Sequence, residues 1–458
     1  MNKFHSVAAV VCVIFLSSIL LIPFANADWT MFRSDPSHSG AGAGNPVLTP
    51  TLLWKDSLGA FVHSSLTVVG GVVYVGSGDD NLYALNAATG GQIWSYNTSA
   101  YVESSPAVVN GVVYVGSYDG DVYALNAATG AFSWSYNTSA PVYSSPAVLN
   151  GVVYIGSYNG DVYALNAATG GQIWSYATSS PVYSSPAVVN GVVYVGSTDD
   201  NVYALNAATG AKIWSYNAGQ YVVSSPTVVN GVVYVGSCDN NVYALNAASG
   251  AKIWNYSTGA PVVSSPAVVN GVVYVGSLDY NFYALNAATG TQMWSYNTGN
   301  CSVASSPAVV GGLVYVGAED DCVYALIAAS GAVLWSYPTD YMVDSSLAVV
   351  GGVVYAGTDT GSIYALGGSP TQSPSPTPTQ TPTPSIFPTP ATSQTPTPSS
   401  TTVPTTTSSV SSPPNLTSQS SLSYEAIYGI GTVVAILAIV AAMLILRKSG
   451  KEKAESII

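Results

Sequence analysis

The chain predicts an all-β fold, an eight-bladed β-propeller of four-stranded antiparallel blades closed by its N-terminal strand. Three observations carry this. Tryptophans stand at Trp54, Trp94, Trp134, Trp174, Trp214, Trp254, Trp294 and Trp335, spaced by 40 residues with one slip to 41. A fixed period of that size marks a repeat protein whose units bury their apolar faces only against their neighbours. Within each period four short β-prone runs alternate with turn residues. The second run is apolar at consecutive rather than alternating positions, which signals burial on both sheet faces and suits a blade sandwiched between two others.

Residues 104–138 serve as the type copy. Ala107 to Val109 is the first strand, and Asn110-Gly111 closes a tight hairpin because both residues tolerate positive φ. Val112 to Gly116 is the second strand. The turn Tyr118-Asp119-Gly120-Asp121 leads into a third, Val122 to Leu125, and Ala127-Ala128-Thr129-Gly130 turns into a fourth, Phe132 to Tyr136. Val-Tyr strands at Tyr74, Tyr114, Tyr154, Tyr194, Tyr234, Tyr274, Tyr315 and Tyr355 count eight, yet the eighth tryptophan strand is missing after Leu366. Leu52-Leu53-Trp54 at the front supplies it. The N-terminal strand therefore completes the last blade and removes the open edges that template aggregation. Closure of this kind argues against the rival architecture, a β-solenoid.

The segment Ala84-Leu85-Asn86-Ala87-Ala88-Thr89-Gly90-Gly91-Gln92-Ile93-Trp94 recurs from Ala124, Ala164, Ala204, Ala244 and Ala284. It resembles the tryptophan-docking motif of PQQ-like (pyrroloquinoline quinone) repeats, Ala-x-Asp-x-x-Thr-Gly-x-x-x-Trp, and the resemblance covers residues 28–368. It implies that each tryptophan packs between adjacent blades with its ring N–H on a neighbouring backbone group, which suits a large aromatic with one donor. Asn in place of Asp, Ser249, Ile327, Ser330 and the closing Gly367-Gly368 depart from the motif and are expected to weaken the ring locally. The family includes quinoprotein alcohol dehydrogenases and the propeller lipoprotein of the bacterial outer-membrane barrel-assembly machinery. Only the former bind the quinone, whose carboxylates call for basic partners and whose calcium calls for oxygen ligands, and they carry an adjacent Cys-Cys pair. Here no two cysteines adjoin, and no arginine lies between Arg33 and Arg447. No cofactor is therefore expected, and a quinoprotein-type oxidoreductase binding PQQ is the lesser alternative.

The ends of the chain read as membrane targeting. Residues 1–27 carry Lys3, an apolar run from about Val7 to Phe24 and a small-x-small site at Ala25-Asn26-Ala27, the pattern of a secretory signal peptide. Residues 369–423 are rich in Pro, Thr and Ser and form an extended stalk, on the order of 150 Å at polyproline II spacing. Residues 426–446 hold no charge and precede Arg447, Lys448, Lys451 and Lys453. That is one transmembrane helix with its C-terminus in the cytoplasm and the propeller extracellular at the cell surface. The tail, 447–458, is too short for a signalling domain, so a surface-sensor role would need a partner.

Composition narrows the function. The net charge is −13, and Arg33, Lys55, Lys212 and Lys252 are scattered through the propeller region, so nucleic acid is excluded as a partner. Loops on one face of the ring are uniform, whereas those entering each first strand and joining second to third strands vary. The variable positions run His63, Glu103, Tyr143, Tyr183, Val223, Val263, Ala304 and Asp344 before the Ser-Ser pairs, and Gly78, Tyr118, Tyr158, Thr198, Cys238, Leu278, Glu319 and Asp359 in the second turns. Glu103, Tyr118, Tyr143, Tyr158 and Tyr183 are expected to gather there as a ligand-binding patch for a surface protein or glycan. The acidic turns are expected to be ordinary hairpins rather than calcium sites. His63 stands alone in the sequence, so no metal site and no catalytic constellation is expected. Once Cys12 leaves with the signal peptide, Cys301 and Cys322 are placed for a disulfide that leaves Cys238 free. Asn97, Asn137, Asn255, Asn300 and Asn415 are candidate N-glycosylation sites. The reading is a non-catalytic, membrane-anchored binding or scaffold module.

Overall fold

A computed structural model describes residues 28–299 and 301–368. The segments expected to be signal peptide, stalk, transmembrane helix and cytoplasmic tail, together with Asn300 and Asn415, lie outside the described residues. No helix among the described residues is long and apolar enough to cross a membrane.

Those residues form eight sheets of four antiparallel strands in meander order, to one of which Ala41–Gly42 adds a short fifth strand. The type copy comprises Ala107–Val109, Val112–Gly116, Asp121–Asn126 and Phe132–Asn137, within one residue of the expected bounds. Asn110 and Gly111 take φ of 52° and 77°, the left-handed pair a two-residue hairpin requires. In the last sheet Thr51–Ser57 pairs with Ser362–Gly367, and Trp54 stands opposite Ala365 as Trp94 stands opposite Ala84. The N-terminal strand thus completes the eighth blade.

The core lies between blades rather than within them. Tyr74, Leu82, Ala84 and Trp94 of the first blade cluster with Val102, Val108, Val113 and Val115 of the second. Each tryptophan except Trp335 lays its ring against a motif glycine of the next blade, where a Cβ on Gly130 would come within 2.8 Å of Trp94. Its Nε1–H donates to a carbonyl of that blade, Trp94 to Ala127 at 2.9 Å and Trp174 to Ala207 at 2.9 Å. The same carbonyl accepts the hydroxyl of a second-strand tyrosine, as Ala127 does from Tyr74. The motif asparagines do the work of the expected aspartate. The Asn126 Oδ1 accepts from the backbone of Ala128 and Thr129 at 3.0 Å each, and Asn246 holds Ser249 in the same way. Replacing Asp by Asn or Thr by Ser therefore costs the turn none of these hydrogen bonds, contrary to the weakening expected. Ile327 and Gly367 offer no such acceptor.

Two features had no counterpart in the repeat reading. The Ser-Ser pairs form a ring: each second serine donates its amide to the hydroxyl of its counterpart in the next blade, from Ser65 to Ser105 and on to Ser346, which donates to Ser65, over 2.9–3.3 Å. Eight hydrogen bonds thereby tie the inner strands into a circle independent of the outer-strand closure.

The second feature is a strap. Residues 29–42 pass the first strands of the blades in order, capping the amides of Val68, Val108, Val188, Val228, Val268 and Val309 with the carbonyls of Trp29, Thr30, Pro36, Ser37, Ser39 and Gly40 at 2.7–3.1 Å. Ala41–Gly42 then runs parallel to Ala308–Val310. Beyond it Val47 fills the gap left by the missing turn of the last blade, its carbonyl accepting from Trp335 Nε1 and its amide donating to the Tyr315 hydroxyl, both at 2.7 Å.

The strap buries Arg33 and His38. Arg33 Nη2 donates to the Pro266 carbonyl at 2.7 Å, and His38 Nδ1 lies 3.2 Å from the Pro226 carbonyl, so that nitrogen carries the proton. Burial, reinforced by the Arg33 charge and opposed by Asp35, lowers the His38 pKa from 6.5 to about 4. The unfolded chain therefore binds a proton that the folded chain refuses. This contribution destabilises the fold progressively as pH falls from 6.5 to about 4, by about 3 kcal/mol at its full extent, and vanishes above that window. Urea unfolding across the window should show the loss in the natural chain and not in His38→Gln; equal pH slopes would refute it.

Candidate binding face

Segments entering the first strands and turns after the second strands meet on one face. The Tyr118 amide donates to the Tyr101 carbonyl and the Tyr158 amide to the Pro141 carbonyl, both at 2.9 Å, and the pairing repeats around the ring. All five residues expected to form the patch are brought together there. Tyr143 lies 5.5 Å from Tyr118, 6.0 Å from Tyr158 and 4.9 Å from Tyr183 between ring centroids, and Tyr158 meets Tyr183 edge-on at 5.6 Å. Edge-to-face and offset geometries of this kind are the favourable ones. The arc extends further than expected. Tyr101 joins Tyr118 at 5.9 Å, and Phe61 joins Tyr101 at 5.4 Å. Both precede the Ser-Ser pair by three positions, and comparing that column with the one two residues later would have found them. Tyr101, Tyr118 and Tyr158 are over two-fifths exposed; Tyr221, Tyr280 and Tyr341 elsewhere on this face are similarly exposed but do not join the run of neighbouring rings.

The aromatic arc ends in charge. His63, expected to stand alone, stacks on Phe61 with centroids 4.5 Å apart. Its Nε2 lies 3.4 Å from Asp359 Oδ1 and its Nδ1 3.7 Å from Glu103 Oε2. Asp359 first and Glu103 next raise its pKa from 6.5 to about 10, so the imidazolium is held well above neutral pH. Asp344 beside it has its carboxyl raised to about 6 by burial, and then by the charges of Asp359 and Glu319. Blades 7, 8, 1 and 2 thus place Glu319, Asp344, Asp359, His63 and Glu103 on one sector, with the aromatic arc on blades 1 to 4.

The acidic turns have a structural role. Asp119 Oδ2 accepts the Tyr123 hydroxyl at 2.6 Å and Oδ1 the Asp121 amide at 2.9 Å, and Asp199, Asp239 and Asp279 repeat the pattern. Cys301 and Cys322 are free thiols, as is Cys238, so the disulfide anticipated between the first two is not formed. Partial burial and then Asp320 and Asp321 raise both thiols, disfavouring the thiolate that disulfide exchange requires. Asn97 and Asn137 end their fourth strands and Asn255 lies within its own, all three exposed, each amide donating across to Asn81, Asp121 or Asn241.

A family profile described as the β-propeller of a beta-alanine-activating enzyme matches residues 36–270, and one described as outer membrane protein assembly factor BamB matches residues 218–374. BamB from Moraxella catarrhalis superposes with a TM-score of 0.62 at 20% identity, over 70% of this chain and 100% of that one. The quinohemoprotein alcohol dehydrogenase of Comamonas testosteroni gives 0.63 at 18% identity, over 75% of this chain and 81% of that one. A computationally designed protein, Ika8, gives 0.63 at 17% over 70% of this chain and 100% of that one. At these identities the likeness shows the fold alone. None of the curated proteins matches the sequence.

Proposed function

Since the chain belongs to the PQQ-like β-propeller family, we propose that its ring is a non-catalytic protein-interaction scaffold whose tyrosine arc is the partner-binding surface. The observation that carries this is the run of touching aromatic rings from Phe61 to Tyr183 on the one face where the repeats differ. Tyrosine supplies rigid contact area with a polar tip and is enriched where proteins meet. The match to an outer membrane protein assembly factor supports a role in protein contacts. In this reading the apolar segment 426–446 anchors the chain in the cell membrane and the Pro-rich 369–423 holds the ring outside it.

The quinohaem enzymes of the same fold raise a redox alternative. The residues of the variable face do not fit a tricarboxylate quinone. Glu103, Glu319, Asp344 and Asp359 would oppose it, and His63 is already engaged by two of them. Arg33 is buried with its guanidinium on backbone carbonyls. No redox step is drawn through that group.

The test compares the natural full-length chain with Tyr143→Ala/Tyr183→Ala as bait for cell-surface proteins, followed by affinity measurement on the captured partner. The pair is expected to weaken binding by roughly a hundredfold, about 3 kcal/mol for two central aromatic anchors. Full retention of binding would refute the assignment. A glycan array run in parallel reports whether the same rings stack on sugars instead.

A further inference from the structure

We propose that His63, Asp344 and Asp359 form a binding site for a first-row divalent cation, with Glu103 holding the imidazole in place. Three independent features of this cluster point to a cation. The first is convergence: one ligand atom from each of the three residues lies within 4.8 Å of the other two, although they come from the loops entering blades 1 and 8 and from a turn of blade 8. The second is the imbalance of polar atoms. Asp344 Oδ1 and Asp359 Oδ1 are shielded from solvent and have no hydrogen-bond partner. Buried carboxylate oxygens are ordinarily satisfied, and each one left bare is costly. Asp359 Oδ1 has only the long contact with His63 Nε2 at 3.4 Å.

The third is the arrangement around the imidazole. Nε2 faces Asp359 at 3.4 Å while Nδ1 faces Glu103 at 3.7 Å. Metal-binding histidines characteristically present one nitrogen to the ion and the other to a carboxylate that fixes ring orientation and tautomer. Phe61 stacked on the ring at 4.5 Å restricts its rotation. One nitrogen and two carboxylate oxygens suit Zn2+ or Mn2+ better than the all-oxygen sets taken by Ca2+. A dication here would replace the imidazolium as the positive charge among Asp344, Asp359 and Glu103, with the His63 proton released as it binds. The carboxylates of the acidic turns differ, because most of their oxygens are already taken by tyrosine hydroxyls and amides, and Asp320 Oδ1, bare as well, belongs to no such convergence of ligand atoms. The three ligands lie outside the tyrosine arc, which Phe61 and Glu103 adjoin, and the inference stands whether or not that arc binds a protein.

Titrating the full-length chain with Mn2+ alone tests it, because the free thiols Cys238, Cys301 and Cys322 compete poorly for that ion. One Mn2+ per chain is expected, with pulsed EPR detecting an imidazole nitrogen. His63→Gln should remove that nitrogen signal. Asp344→Asn and Asp359→Asn should each weaken binding by roughly tenfold or more, and Glu103→Gln by about tenfold. Asp344→Asn removes a like charge from the cluster, so without metal it should melt no lower than the natural chain, which separates loss of the site from loss of the fold. Tyr158→Phe serves as the unaffected control. No saturable binding up to roughly millimolar Mn2+, a bound ion without a nitrogen signal, or binding unchanged in Asp344→Asn/Asp359→Asn would each overturn the proposal.

Discussion

Deleting residues 28–57 is expected to abolish the closed ring, leaving a chain that associates through strand edges and unfolds without a cooperative transition. The deletion removes the fourth strand of the last blade, so the edge of Ser362–Gly367 is bared, and unpaired edges of this kind recruit other chains. It also takes Trp54 from its place against Gly90 and its hydrogen bond to Ala87. Trp335 and Tyr315 lose Val47, and Asp340 loses Lys55 at 2.9 Å. The strap goes with them, and six first-strand amides lose their carbonyls. At about 1–3 kcal/mol for each buried donor left unmade, even partial access of water leaves a loss comparable with the roughly 5–15 kcal/mol that stabilises an ordinary domain. Gel filtration and urea unfolding check this. Moving 28–57 behind Gly368 through a short linker should restore the strand pairing and cooperativity, whereas a truncated monomer with an unchanged midpoint would sink the argument.

Part of this closure was legible in the sequence and part was not, for a physical reason. Eightfold repetition makes the strands, hairpins and tryptophan docks visible, because each copy confirms the others, and the missing eighth tryptophan strand pointed directly to Leu52-Leu53-Trp54. The strap occurs once. It mixes Trp29, Met31, Phe32, Arg33 and His38 with small residues in no repeating pattern, and its course is set by backbone carbonyls meeting backbone amides, which no side-chain periodicity announces. The same limit applies to the loop face. The five patch residues could be placed together because their positions in the repeat are equivalent and their blades adjacent. His63 and Asp359 sit at the two ends of the repeat array, on blades 1 and 8, and meet at 3.4 Å only because the ring closes. Spacing along a sequence cannot show a contact of that kind. The Ser-Ser pairs were visible eight times and still misjudged as mere markers, since their bonding partner is the next copy rather than any residue nearby.

Gly76→Ala is expected to cost about 3 kcal/mol, the upper range for overpacking a core, whereas Gly111→Ala should cost about 1 kcal/mol, the scale of an unfavourable φ alone. The two glycines serve opposite needs. Gly111 sits at φ +77° with open space where its Cβ would be, so only backbone strain opposes the substitution. Gly76 has an ordinary extended backbone, but a Cβ there would lie 2.3 Å from the Val102 carbonyl and 2.4 Å from its Cγ1. Val102 is anchored through its amide to Ser77, while the Gly76 amide is anchored to Ser64 Oγ, so neither partner can retreat without breaking a hydrogen bond of the inner ring. The displacement would be passed to Glu103, the residue after Val102 and the partner of His63 Nδ1. Urea unfolding distinguishes the two variants, and equal costs would show that conformational freedom rather than space governs Gly76. If the steric account holds, Gly76→Ala should also loosen the carboxylate–histidine cluster while Gly111→Ala, on the uniform face, leaves it intact.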